Sequence, residues 1–156
     1  AGDEIAVGAD RKDFDQIKDR RVKARQYLSE ITVRVVEGPQ AEYFTEGGKK
    51  TFYKETYTIS DQSDRMGYRM EGKKIESVSG TDIISDGIAL GSVQVPADGR
   101  PIVLLADRQT TGGYAKIATV CSFDIPKLVQ GRPGDRVRFV RISVEEAQKI
   151  NRKRGI

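Results

Sequence analysis

The chain has 156 residues, a net charge of +4 and an isoelectric point near 9.2. One cysteine and no histidine exclude an internal disulfide scaffold and a Ser-His or Cys-His pair built from this chain alone, and leave no ordinary ligand set for a structural zinc. The basic residues are spread rather than striped, and residues 1–30 carry seven Lys/Arg against seven Asp/Glu, so the charge reads as a solvated surface and neither nucleic acid nor membrane is an expected partner. With no signal-peptide pattern, a soluble cytoplasmic protein is expected.

Residues 11–30 place Phe14, Ile17, Ala24 and Leu28 among dense charge. Residues 1–30 read as a linker or weak helix, and 31–156 as one domain. "ITVRVV" (31–36) is β-branched and ends at Gly38-Pro39, a strand followed by a turn. "AEYFTEGGKKTFYKE" predicts short helical turns broken by Gly47-Gly48. "TYTIS" (56–60) reads as a strand. "RMGYRMEG" alternates Met66, Tyr68 and Met70 with polar residues, and "GSVQVP" alternates Val93 and Val95 with Ser92 and Gln94; both have the period of half-buried strands. "ADGRP" is a turn and "IVLL" a buried strand. After a polar loop, Tyr114 to Phe123 reads as another strand, which places Cys121 as a buried structural thiol. "GRPGD" (131–135) is a tight turn and "RVRFVRI" a last strand. Ser143 with Glu146 three residues on forms a capping box. It opens a helix over about 143–153, with Val144, Ala147 and Ile150 on one face and Gly155 at its end. Short strands with Gly/Pro/Asp turns predict a mainly antiparallel all-β barrel or sandwich, with short helices and a C-terminal helix.

The loop "DRQTTGGY" is dense in chemistry. Thr110, Thr111, Gly112 and Gly113 expose backbone N–H groups, and successive N–H groups form anion nests. The P-loop spacing is absent. Asp107 can accept a proton or bind a substrate N–H, while Arg108 and Lys116 suit a carboxylate or phosphate. Gln109 and Tyr114 add an amide and a phenol. The structural alternative is a polar hairpin tip with an internal Asp–Arg pair. Two other clusters resemble it: Asp61, Ser63, Asp64, Arg65 and Arg69, and Asp86, Gly87, Ser92 and Gln94. Each alone reads as turn chemistry. A shared cleft would make Asp64, Asp86 and Asp107 candidate general bases, in a chain where histidine is absent.

"QSDRMGYRMEG", "DIISDGIALGSVQVPADGRPIVLLADRQTTGGYAKIATV" and "RPGDRVRF" followed by "SVEEAQ" closely resemble the allophanate hydrolase subunit 2 family. That family includes the C subunits of 5-oxoprolinase, the carboxyltransferase part of urea carboxylase, and the antagonist of a sporulation-kinase inhibitor. The resemblance implies a cyclophilin-like β-barrel. It implies the family's subunit 1 as a partner and, for 5-oxoprolinase, a third, lactam-hydrolysing subunit. The matched segments correspond to the C-terminal half of longer proteins. "AGDEIAVG" then looks like a junction with a missing N-terminal half, so a fragment, a proteolysis product or one part of a split protein is expected, inactive alone. In the complex, ATP-dependent hydrolysis of 5-oxoproline would place Asp107 and Lys116 as catalytic residues. Asp64, Arg65, Arg69, Gln94, Arg108, Gln109, Thr110, Thr111, Gly112, Gly113 and Tyr114 would bind substrate. No cofactor or metal is expected on this chain alone; ATP would serve the complex. The alternatives are carboxyl transfer from biotin carried elsewhere, since no Met-Lys-Met motif is present, and a binding protein that antagonises a kinase inhibitor without chemistry.

Overall fold

A computed structural model describes residues 28–154. The linker or weak helix expected over 1–30 falls almost wholly outside the described residues, as does Gly155. Among the described residues nine strands form: β1 (Glu30–Glu37), β2 (Tyr57–Ile59), β3 (Gly67–Glu71), β4 (Asp82–Gly87), β5 (Ser92–Gln94), β6 (Ile102–Leu104), β7 (Thr111–Tyr114), β8 (Lys116–Val120) and β9 (Arg136–Arg141). The same residues form three α-helices: α1 (Glu46–Lys54), α2 (Ile125–Leu128) and α3 (Val144–Arg154). Among the described residues no helix is long and apolar enough to cross a membrane.

Seven strands close into a barrel in the order β1-β8-β5-β6-β3-β2-β9. Every neighbouring pair is antiparallel except β1 and β9, which run parallel from Glu30↔Arg136 to Val35↔Arg141. The period-two pattern explains which side chains fill it. Ile31, Val33 and Val35 of β1 and Val137 and Phe139 of β9 are buried, while Thr32, Arg136 and Arg138 between them are exposed. Phe52 of α1 stacks on Phe139 with ring centroids 4.6 Å apart, and Tyr57 leans on both rings. Offset aromatic contacts of this kind add to the area that the rings bury. The expected mainly antiparallel barrel with a C-terminal helix is the fold observed.

Several local expectations are corrected. Gly47-Gly48 does not break a helix: both lie in the first turn of α1. Thr45 caps that turn by accepting from Gly48 N at 2.9 Å. Gly48 is needed for closeness rather than bending, because a Cβ there would meet Glu76 O at 2.2 Å. The period-two reading of β5 is incomplete. Ser92 and Gln94 are buried along with Val93, since the strand is covered on both faces. Met66 lies before β3 and is exposed, while Met70 is buried. Tyr114 does not start β8; it ends β7, and Ala115 separates the two strands. Cys121 is buried just past β8, where desolvation pushes its thiol up. Helix α3 begins as expected, with Glu146 N donating to Ser143 Oγ at 3.1 Å. Its apolar face packs lightly: Val144 is exposed, Ala147 and Ile150 half-buried.

One buried charge braces the outside of β1. Asp124 is fully buried and receives Arg34 Nε at 2.7 Å, Arg34 Nη2 at 2.7 Å and Arg34 N at 3.0 Å, with Lys127 Nζ at 2.8 Å. The Arg34 guanidinium also lies 4.5 Å over the Phe123 ring. Burial alone would raise the Asp124 carboxyl; the bonds from Arg34 and Lys127 outweigh it and bring it down to about 2.

Gly48→Ala improves helix propensity yet should destabilise the fold by about 1–3 kcal/mol, because the methyl overpacks against a backbone carbonyl; an unchanged urea midpoint would contradict the close approach. Asp124 is depressed from 3.8 to about 2. The stability it contributes is therefore complete above about pH 4 and lost as the pH falls from there toward 2. Melting temperature against pH should show that loss in the wild-type chain, and Asp124→Asn should lack this component.

Candidate functional site

The "DRQTTGGY" segment is not an open loop. Its second half is β7, which pairs antiparallel with β4 in a separate two-stranded ribbon: Asp82↔Tyr114, Asp86↔Gly112 and Gly87↔Thr111, with an irregularity between Asp82 and Asp86. The Thr-Thr-Gly-Gly run therefore supplies ladder backbone over most of its length instead of a free nest of N–H groups. Gly112 still serves close approach, but to the protein itself. A Cβ on Gly112 would lie 2.8 Å from both Gln94 Nε2 and Ile88 Cδ1, so a larger residue there would push the ends of those two side chains aside.

Beneath the ribbon sits Lys116, 2% exposed at the start of β8. Its ammonium donates to Asp86 Oδ2 at 3.0 Å. Gln40, from the turn after β1, binds both partners at once: its Nε2 donates to Asp86 Oδ2 at 3.2 Å and its Oε1 accepts from Lys116 N at 3.2 Å. Asp86 also accepts from Gly87 N at 2.7 Å. The bond from Lys116, then those from Gly87 and Gln40, hold the Asp86 carboxyl below the usual carboxylate range. The Asp86 side chain is 53% exposed and that of Lys116 only 3%, so the pair spans the boundary between water and protein. Gln94 is buried beside it, and its Nε2 reaches Tyr114 O at 3.4 Å.

The other expected site residues divide. Asp107 is paired to Arg65, with Arg65 Nε at 2.8 Å and Nη2 at 3.1 Å, and both side chains are open to solvent. This is an acid–base pair bracing two turns, strengthened by Asp107 N donating to Arg65 O at 3.0 Å. Arg108 directs its guanidinium at backbone carbonyls: Nε to Ile88 O at 3.1 Å and Nη1 to Leu105 O at 3.2 Å. Asp64 closes its own turn by accepting from Met66 N at 2.8 Å and Gly67 N at 3.2 Å. Arg69 is exposed on β3 and lines a cleft of about 120 Å³ with Arg100, Ser60 and Gln62. Gln109 and Thr110 are both exposed. The structure thus brings Lys116, Gln94, Gly112 and Tyr114 together, adds Asp86 and Gln40, and leaves Asp64, Arg65, Arg69, Arg108 and Asp107 in other contacts. Gln40 escapes sequence reasoning. No pattern marks it, because its two bonds join segments 46 and 76 residues away.

A buried ammonium beside a half-exposed carboxylate, two amide side chains and a glycine-thinned cover can neutralise an anionic oxygen and hold an amide by its N–H and C=O. A family profile described as "Carboxyltransferase domain, subdomain A and B" matches residues 1–141. The C subunit of 5-oxoprolinase from Haemophilus influenzae is 43% identical over 120 residues, covering 76% of this chain and 39% of that protein. Its counterpart from Escherichia coli, also a C subunit of 5-oxoprolinase, is 35% identical over 148 residues, covering 95% and 46%. The chain therefore spans less than half the length of these curated relatives. Among solved structures, the K. lactis urea amidolyase superposes with a TM-score of 0.78 over 86% of this chain and 9% of that one, at 21% identity, a likeness of fold. With the profile match spanning residues 1–141, the chain belongs to the carboxyltransferase domain family, subdomains A and B.

Proposed function

We propose that this chain is part of a protein like the C subunit of 5-oxoprolinase, and that with partner subunits it hydrolyses the cyclic amide 5-oxoproline to glutamate, using ATP. The observation that supports this reading best is the 43% identity to a 5-oxoprolinase component across three-quarters of the chain. The partners are the family's subunit 1, a lactam-hydrolysing subunit, and the remainder of the longer protein. A lactam carbonyl is a poor electrophile, and transfer of a phosphoryl group to its oxygen makes it a better one. Negative charge develops on that oxygen, and the Lys116 ammonium is the buried cation suited to meet it. Gln94 suits the amide. Asp107, committed to Arg65 at the surface, is a brace on this reading.

A second reading is carboxyl transfer from biotin supplied by another domain to urea or a related amide. The description of the matching family favours it. The same cation would then face the ureido oxygen. Assays of the complex separate the two: 5-oxoproline-dependent ATP hydrolysis supports the first, and urea-dependent consumption of carboxybiotin the second.

Reconstituted with its partners, the chain should hydrolyse ATP in response to 5-oxoproline, and purified alone it should not; turnover by the isolated chain would show the partners to be dispensable. In the complex, Lys116→Met should lower kcat by about 10²-fold or more at unchanged folded fraction. Asp107→Asn should keep kcat within about tenfold of wild type. It should cost no more than about 1 kcal/mol of stability, as for other exposed ion pairs. A loss of about 10²-fold in Asp107→Asn with an unshifted melting curve would instead make Asp107 the general base.

A further inference from the structure

We infer that Asp86 is a built-in occupant of an oxyanion site, and that the ligand of Lys116 presents a carboxylate or phosphate oxygen where Asp86 Oδ2 now lies. This rests on the reading of Lys116 as the cation of the site, and goes beyond it by naming what holds the site when no ligand is present and what must leave.

A lysine head group has three donors, and the described contacts of Lys116 Nζ comprise one hydrogen bond, to Asp86 Oδ2. A charge this deeply buried requires a counter-charge, because desolvation penalises it strongly when it is left alone. The counter-charge does not come from the barrel. It comes from β4, on the ribbon, from a side chain whose own surface is half in water. A carboxylate in that position is already half in water, so on leaving it exchanges its bonds to Lys116 and Gln40 for bonds to solvent. An external oxyanion offers the ammonium the same interaction and, with more than one oxygen, engages further donors as well.

The ribbon is suited to yield. A two-stranded sheet is marginal by itself. Five of the six residues of β4, and both Thr111 and Tyr114 of β7, are exposed. Few side chains tie it to the barrel: Ile83 packs on the core, Asp86 meets Lys116 and Gln40, and Gln94 reaches Tyr114 O. Elements with few buried contacts and solvent-exposed ladders sit at the low end of local stability. Gln40 has the complementary task. With Oε1 held by the Lys116 backbone N–H, its Nε2 stays aimed at the position of the oxyanion, whether Asp86 or a ligand fills it. Gln40 is then a positioning and binding residue that serves both states.

The test is direct binding to the 156-residue chain, with inorganic phosphate and acetate as probes in separate calorimetric or NMR titrations. Asp86→Asn removes the internal anion while keeping the shape and the bond to Gly87 N. It should bind at least one probe about tenfold tighter than the wild-type chain, and Gln40→Ala in that background should weaken the binding again. The preferred probe tells a carboxylate ligand from a phosphate. Equal affinity of Asp86→Asn and wild type, or no binding by either, overturns the inference. Lys116→Met separates the cation from its occupant. If it abolishes wild-type binding while Asp86→Asn leaves it unimproved, Lys116 stands as the cation and only the displaced-occupant inference falls. If Asp86→Asn binds equally well with and without Lys116, the site itself is misplaced and the inference falls with it. Near-native spectra of Asp86→Asn keep the comparison valid even if Lys116→Met folds poorly.

Discussion

Barrel closure through β1 and β9 is the constraint on which the other features depend. An open sheet would expose edge strands, with rows of unpaired backbone donors and acceptors. Here the first and last strands of the barrel meet in parallel, and the ring is complete. Closure at this strand number leaves an interior only wide enough for side chains, and Val33, Val93, Val103, Ile117, Tyr57 and Phe139 fill it. A ligand therefore has no place inside. The candidate site lies on the outer surface, where β4 and β7 meet β5 and β8.

That displacement explains the unusual burial around Lys116. The outward face of a barrel strand normally carries polar residues in water. Covering it with a ribbon buries whatever was there, and polar groups so buried need partners. Gln40 and Asp86 supply them, while glycine at position 112 leaves room for the ends of Gln94 and Ile88. A similar logic operates on the outside of β1, where Asp124 is buried but meets both hydrogen-bond positions of the Arg34 fork. In both places the barrel tolerates a buried charge because an opposite charge lies beside it, held by the strand's own backbone at Asp124 and supplied by the ribbon at Lys116.

Much of the barrel is legible in the sequence because period-two burial is a local property. β1, β2, β9 and the capped start of α3 follow directly from Ile31/Val33/Val35, "TYTIS", Val137/Phe139 and Ser143 with Glu146. The resemblance to a known family supplies the barrel type. What is not legible depends on who covers whom. Gln94 and Ser92 look like outward residues until the ribbon lies over them. "DIISDG" has no alternation because its strand is exposed on nearly every residue, so nothing in its pattern announces a strand. Gly47-Gly48 looks like a breaker until Glu76 is seen pressed against it. Of the residues expected to act together, Lys116 and Gln94 do meet. Asp107 and Arg108 instead meet the partners that ordinary turn chemistry offers, an arginine across the fold and nearby carbonyls.

The parallel seam also has a consequence for how the protein is made. Glu30 must find Arg136 and Val35 must find Arg141, so β1 leaves the ribosome long before its parallel partner exists. Its other neighbour, β8, is also late. Until then "ITVRVV" is a β-branched, unpaired strand, the kind of segment that nascent chains must keep from pairing with one another. High separation between partners slows folding, so the seam that removes every edge from the finished barrel leaves one exposed until β8 and β9 have been made. Flanking charge at Glu30, Arg34 and Glu37 is the local safeguard the chain carries through that interval.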